Sequence, residues 1–152
     1  MSSALIVCSA VTLTSSFAAV NAAPVGLVGS WGTNSSGGVL TLLVNHAAGG
    51  GQSGGYPVIR PVWGYYLADG TLVPAHDPML DPNTSASGGV TTVEINTDVA
   101  NLKGLTDSTG TRWLPVQIDV PRWAAVLYYL EAKQAGDTAH LGNISAQLTG
   151  RI

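Results

Sequence analysis

The chain has 152 residues, a net charge of −3 and a single cysteine. That length suits one domain, which buries roughly 68–70% of its unfolded surface and needs no covalent staples. The lone Cys8 excludes an intrachain disulfide and a multi-cysteine metal centre. The absence of any Lys/Arg cluster argues against a nucleic-acid surface and against polybasic contact with a membrane.

Charged residues make up 10% of the chain, against roughly 25% in an ordinary soluble domain. Gly, Ser, Thr and Asn take their place. The six basic and nine acidic side chains all follow Ile59, and Arg60 is the first of them. A near-neutral surface promotes association. The N-terminal 59 residues are therefore either inside the domain or covered by neighbours. They are too many for one small core, which favours cover.

From the N-terminus, Leu5, Val7, Val11 and Leu13 alternate with small or polar residues, the period of a half-buried strand. The segment is read as a strand over 4–15 that also serves as an interface arm. A secretory leader fits less well, because no Lys or Arg precedes it and Thr12, Thr14, Ser15 and Ser16 dilute its apolar run. No stretch reaches the roughly 20 apolar residues of a membrane helix. Val25 to Trp31 is a second short apolar run, and Val39 to Val44 a strong strand. The loop from Ala47 to Gly55 is rich in glycine.

Tyr56 to Leu67 reads as a strand whose Pro57 and Pro61 predict an edge position or a bulge. Asp69-Gly70 then predicts a hairpin into Thr71-Leu72-Val73. A long loop over Pro74 to Gly89 leads to a strand at Val90 to Asn96, and Asn101 to Gly110 is rich in turn residues. In Trp113 to Val120 the residues Leu114, Val116, Ile118 and Val120 share one face. Arg122 to Gln134 suits helix or strand. Strand is favoured over Arg122 to Ala132, pairing antiparallel with Asn143 to Gly150 across the Gly136 to Gly142 connection. About eight short strands joined by Gly/Pro/Asn/Ser turns predict an all-β fold, an antiparallel β-sandwich of jelly-roll type in one domain over 1–152.

The chemistry-bearing residues form no convincing active site. Gly51-Gln52-Ser53-Gly54-Gly55 matches the spacing of a nucleophile elbow, but that elbow needs a strand before its serine and a helix after it. His76, Asp77 and Asp81 match no metal spacing, and His46 and His140 stand apart from them. Glu94 and Glu131 are the only glutamates, and nothing selects a catalytic carboxylate pair. Trp31, Trp63, Trp113 and Trp123 with the tyrosines offer a carbohydrate platform, although aromatics in strands more often pack a core or a subunit contact. No catalytic residue, cofactor or metal is expected.

Four stretches carry a family resemblance. They are Leu40-Thr41-Leu42-Leu43-Val44-Asn45-His46, Val58-Ile59-Arg60-Pro61-Val62-Trp63-Gly64-Tyr65, Leu114 to Trp123, and Ile144-Ser145-Ala146-Gln147-Leu148-Thr149-Gly150. Their order and texture resemble small β-sandwich virion proteins of tailed bacteriophages, such as capsid decoration (cement) proteins and minor head or tail proteins. Pro57, Pro61 and the loop from Pro74 to Gly89 depart from that pattern. The resemblance implies a homo-oligomer, with a trimer favoured, on the capsid surface after assembly in the host cytoplasm. Its partner would be the major capsid protein or another virion protein, with no nucleic acid and no membrane. The clamping surface is expected in the uncharged N-terminal segment, at Leu5, Val7, Val11, Leu13, Val25, Leu27 and Trp31. A head–tail connector or tail role, and a carbohydrate- or cell-surface-binding module, are the alternatives.

Overall fold

The computed structural model describes residues 4–26, 33–34, 37–51, 53–75, 92–95, 105–120 and 124–149. The described fold is all-β, with antiparallel sheets and no helix. The strands are β1 (Ala4–Thr12), β2 (Ala18–Ala19), β3 (Val25–Gly26), β4 (Thr33–Asn34), β5 (Gly37–Ala47), β6 (Tyr56–Tyr66), β7 (Leu72–Ala75), β8 (Val93–Glu94), β9 (Leu105–Thr106), β10 (Arg112–Val120), β11 (Val126–Ala135) and β12 (Asn143–Thr149). The first sheet runs β1-β12-β5-β10-β9, with β4 also on β5. The second runs β2-β11-β6-β7, with β3 on β11 and β8 on β6.

Alternation builds these strands as the sequence predicts. Leu40, Leu42 and Val44 on β5, Val116, Ile118 and Val120 on β10, and Ile144, Ala146 and Leu148 on β12 are all buried. They join Ile59, Trp63, Leu127, Leu130 and Ala132 of the second sheet in one hydrophobic cluster. Each buried aliphatic side chain contributes about 1.5–3 kcal/mol by leaving water.

The sequence between β1 and β3 carries the chain from one sheet to the other. Leu13 donates its N–H to the Gly142 carbonyl beside β12, and the next residue, Thr14, accepts from the Gln134 N–H of β11. Between β2 and β3 the side chain of Asn21 substitutes for a strand. Its Oδ1 accepts from the Leu130 N–H at 2.8 Å and its Nδ2 donates to the Tyr128 carbonyl at 3.1 Å. The β11–β6 register shifts between Leu127 and Tyr129, so Asn21 satisfies backbone groups beside a bulge.

Two expectations are corrected. First, of the two positions expected for β6 it does not take the edge, because β11 lies on one side and β7 and β8 on the other, whereas its ladder with β11 does carry a register shift, between Leu127 and Tyr129. The Pro57 carbonyl accepts from Ile95 N–H on the β8 side. Pro57 therefore turns its donor-less nitrogen away from β11, and Pro61, four residues on, does the same. Among the described residues, Pro61 falls between the segments paired with β8 (Val58–Ile59) and with β7 (Trp63–Tyr66). Second, β11 does not pair with β12. It lies in the second sheet against β6, whereas β12 lies in the first between β1 and β5. Alternation reports which face of a strand is buried and is silent about its neighbour.

Two other expectations hold. Residues 126–135 are strand, and Asp69-Gly70 closes the β6–β7 hairpin with Gly70 at φ 88°. The Asp107 to Thr111 turn repeats its backbone bonds. Most of the predicted 74–89 loop lies outside the described residues, and of the strand predicted at 90–96 the described part is β8.

Replacing Asn21 with Ala leaves the Leu130 N–H and Tyr128 carbonyl without this partner, at a cost of about 1–3 kcal/mol. Urea unfolding measures it, and an unchanged midpoint would show that water replaces the side chain at no cost.

Candidate functional site

On the outward face of the first sheet stand Thr41, Leu43 and Asn45 of β5, Trp113, Pro115 and Gln117 of β10, and Asn143, Ser145 and Gln147 of β12, none of them charged; Asp119 follows in the same alternation of β10, paired with Val39. On the second sheet Arg60 and Glu131 oppose each other across β6 and β11. Their ion pair measures 2.8 Å, and Phe17 lies 4.0 Å from the Arg60 guanidinium and 4.9 Å from the Lys133 ammonium. The first charged residue of the chain thus contacts the uncharged N-terminal segment through a cation–π contact with Phe17, while its ion pair ties β6 to β11.

That segment supplies an end strand to each sheet. β1 ends the order of the first sheet, and β2, with β3 alongside it on β11, ends that of the second. Its exposed residues include Leu5, Ile6, Thr12, Ser15, Ser16, Ala18, Ala22 and Pro24, all uncharged. The edge is irregular. The β1–β12 register shifts twice, between Ile6 and Cys8 and between Cys8 and Val11. At the second shift Ala10 takes φ 47° and its N–H donates to Ser145 Oγ at 2.8 Å. Bulges of this kind blunt an edge against indiscriminate strand pairing.

The expected interface residues divide. Val7, Leu13 and Val25 are buried in the domain's own hydrophobic cluster, and Val11 packs against it. Leu5 is 37% exposed, while Leu27 and Trp31 lie outside the described residues. Ile6, 67% exposed, is the most prominent apolar side chain of the edge. The bulge displaces the alternation by one residue there, and no sequence signal marks it.

A second cluster joins the Gly-rich loop to the β11–β12 connection. Asp137 Oδ2 accepts from Ser53 N–H at 3.0 Å and contacts His140 Nδ1 at 2.9 Å, while Asp137 Oδ1 accepts from Ala139 N–H. Gly136, at φ 75°, packs so closely on the Gly54 carbonyl that a Cβ would sit 2.3 Å from its oxygen. Asp137 reaches Ser53 through the backbone amide, so the cluster ties down a loop; it does not arrange a nucleophile beside a base. The Ser53 amide foremost, then the His140 side chain, hold the Asp137 carboxyl below its usual range.

The other chemistry-bearing residues stay apart. Glu131 is engaged by Arg60, and β6 separates it from Glu94. Burial pushes the Cys8 thiol up to about 11, which makes it inert at neutral pH. His46 lies on β5 opposite Ile144. His76, Asp77 and Asp81 lie outside the described residues. Among the described residues no three His, Cys, Asp or Glu side chains converge as a metal site, and no helix is long and apolar enough to cross a membrane.

Trp113 stands beside a third feature, a groove on the first sheet's outward face. Its indole Nε1 donates to Asp107 Oδ2 at 3.0 Å, while Asp107 Oδ1 accepts from Thr109 and Thr111 N–H. These bonds, the Thr109 hydroxyl foremost, lower the Asp107 carboxyl to about 2. Sequence reading named Trp113 but missed the polar residues around it, outward alternates of β5 and β12 that only the pairing of those strands brings together. Comparison with protein-family models, curated proteins and solved structures finds no match to the chain.

Both carboxylates have depressed pKa values, so their contribution is present above the unfolded pKa and lost as pH falls through the folded one. The Trp113 indole N–H resonance should titrate with a midpoint of about 2; a midpoint at the ordinary 3.8 would mean the bond is not formed. Asp137→Ala should remove the hydrogen-exchange protection of the Ser53 amide at neutral pH. Retained protection would break the proposed link between the two loops.

Proposed function

We propose that the chain is a structural subunit of a virus particle, most specifically a capsid decoration protein, and that its two sheets face each other as a jelly-roll sandwich. The strand order supports the fold. The ladders β6:β7, β5:β10, β2/β3:β11 and β1:β12 nest within one another like a single long hairpin. Rolling that hairpin up brings β12 beside β5 and β11 beside β6. Jelly rolls recur in viral capsids and in lectins, and this part of the argument is fold-level analogy.

The observation that carries the function is the uncharged surface of the N-terminal segment, which supplies an end strand to each sheet and presents Leu5 and Ile6. Such a surface gives up water readily because it holds no charge to desolvate. Its exposed backbone groups and small side chains allow close approach. Burial against a capsid neighbour would contribute roughly 25 cal/mol per Å2 of apolar area, less the cost of association. A homo-oligomer, with a trimer favoured, multiplies the effect through linked contacts.

The structure changes which variant tests this. Removing residues 2–16 would strip Val7, Cys8 and Leu13 from the core, so that deletion tests folding. Ile6→Asp alters an exposed side chain and tests docking. Light scattering should give a mass that is a multiple of 15.5 kDa for the wild type. Ile6→Asp should melt like the wild type and lose both self-association and co-sedimentation with the capsid. A monomeric wild type that ignores the particle, or an Ile6→Asp variant that binds as well as the wild type, would reject the assignment.

A further inference from the structure

The groove on the outward face of the first sheet has a volume of about 450 Å3 and is lined by Asn45, Trp113, Asn143, Ser145 and Gln147, with Ile6 on the β1 side. We propose that it binds a neutral oligosaccharide. Its volume lies in the roughly 300–1,000 Å3 range of small-ligand sites, and its lining combines an aromatic wall with a few placed polar groups. A sugar ring offers a C–H face to an aromatic ring and hydroxyls to amides and hydroxyls at its rim. The lining supplies both, and it contains no charged side chain that would select a phosphate, a carboxylate or an amine.

The polar groups are already oriented. Asp107 holds the Trp113 indole edge, which fixes the ring plane before a ligand arrives. Asn45 Nδ2 donates to the Arg112 carbonyl at 3.0 Å, leaving its carbonyl oxygen as acceptor. Ser145 Oγ accepts from Ala10 N–H and keeps its own proton to donate. Among the described residues, the side-chain amides of Asn143 and Gln147 make no hydrogen bond inside the protein. Groups held in place in the free protein lose little entropy on binding. β12, β5 and β10 carry the groove across adjacent ladders, so the site rests on rigid strands. β1 adds Ile6, Cys8, Ser9 and Ala10 to the lining, so the groove borders the uncharged edge, but saccharide binding needs no oligomer and does not rest on the virion role.

Saturation-transfer NMR with a panel of neutral hexose and N-acetylhexosamine oligosaccharides tests the site, followed by calorimetry on whichever gives a signal. The wild type should show transfer to at least one of them. Trp113→Ala should weaken binding about tenfold or more, from the loss of aromatic contact. Trp113→Phe should recover most of that loss. Gln147→Ala, an outward strand position that leaves the core intact, should weaken binding about three- to tenfold. Matched thermal melts show whether each variant remains folded. Absence of transfer from every saccharide, or wild-type affinity in Trp113→Ala and Gln147→Ala, would overturn the proposal. So would protection of the groove by a capsid protein with no saccharide signal, which would make it a protein contact.

Discussion

The pairing of the first strand with the last is the constraint on which the rest of this molecule depends. β1 reaches β12 across nearly the whole chain, and from there the backbone passes to the second sheet through Leu13 and Thr14. The Leu13 N–H bonds beside β12 and the Thr14 carbonyl bonds to β11. Gln134 lies at this crossing, 1% exposed, with Nε2 donating to the Asp137 carbonyl at 3.3 Å and Oε1 facing the Gly142 N–H at 3.5 Å. A buried amide has to be satisfied, and Gln134 is satisfied by the connection that carries β11 into β12. Two of the places where the chain changes sheets, β1 to β2 and β11 to β12, are therefore bonded to each other.

This arrangement assigns a role to the uncharged N-terminal segment. Its buried alternates, Val7, Cys8, Leu13, Val20 and Val25, complete the core, while its other side forms an edge. A lone domain could place Lys or Glu along such an edge to keep it soluble and unpaired. This chain uses bulges, Ser, Thr, Ala and Pro instead, and concentrates its charges on other elements. Arg60, Glu131 and Lys133 sit on the second sheet, where the first two form a cross-strand pair and Phe17 packs over both cations. The acidic turns Asp69 and Asp107 each spend their carboxylate on backbone amides of their own hairpin.

Much of the fold was legible because alternation is a direct physical record of burial. β5, β10 and β12 have their buried residues where the period of two puts them. The Asp-Gly turn at Asp69-Gly70 was readable because a residue with positive φ is required there. Strand neighbours were not readable: β11 and β12 are adjacent in sequence yet belong to different sheets. Pro57 and Pro61 suggested an edge or a bulge, because sequence cannot show that their nitrogens turn away from β11. The candidate sites were legible in part. Leu5 and Trp113 were named from sequence. Ile6 was missed because a bulge turned it outward, and Asn143 and Gln147 were missed because lone polar residues in a strand carry no signal until neighbouring strands align them.

The central claim is that the uncharged edge is covered in the assembled state. Hydrogen–deuterium exchange of the protein bound to the proposed particle, compared with the protein alone, tests it most directly. The account predicts slower exchange on the particle in peptides spanning residues 4–26, with the β6–β7 hairpin unchanged. Equal exchange across residues 4–26 in the two states would contradict it.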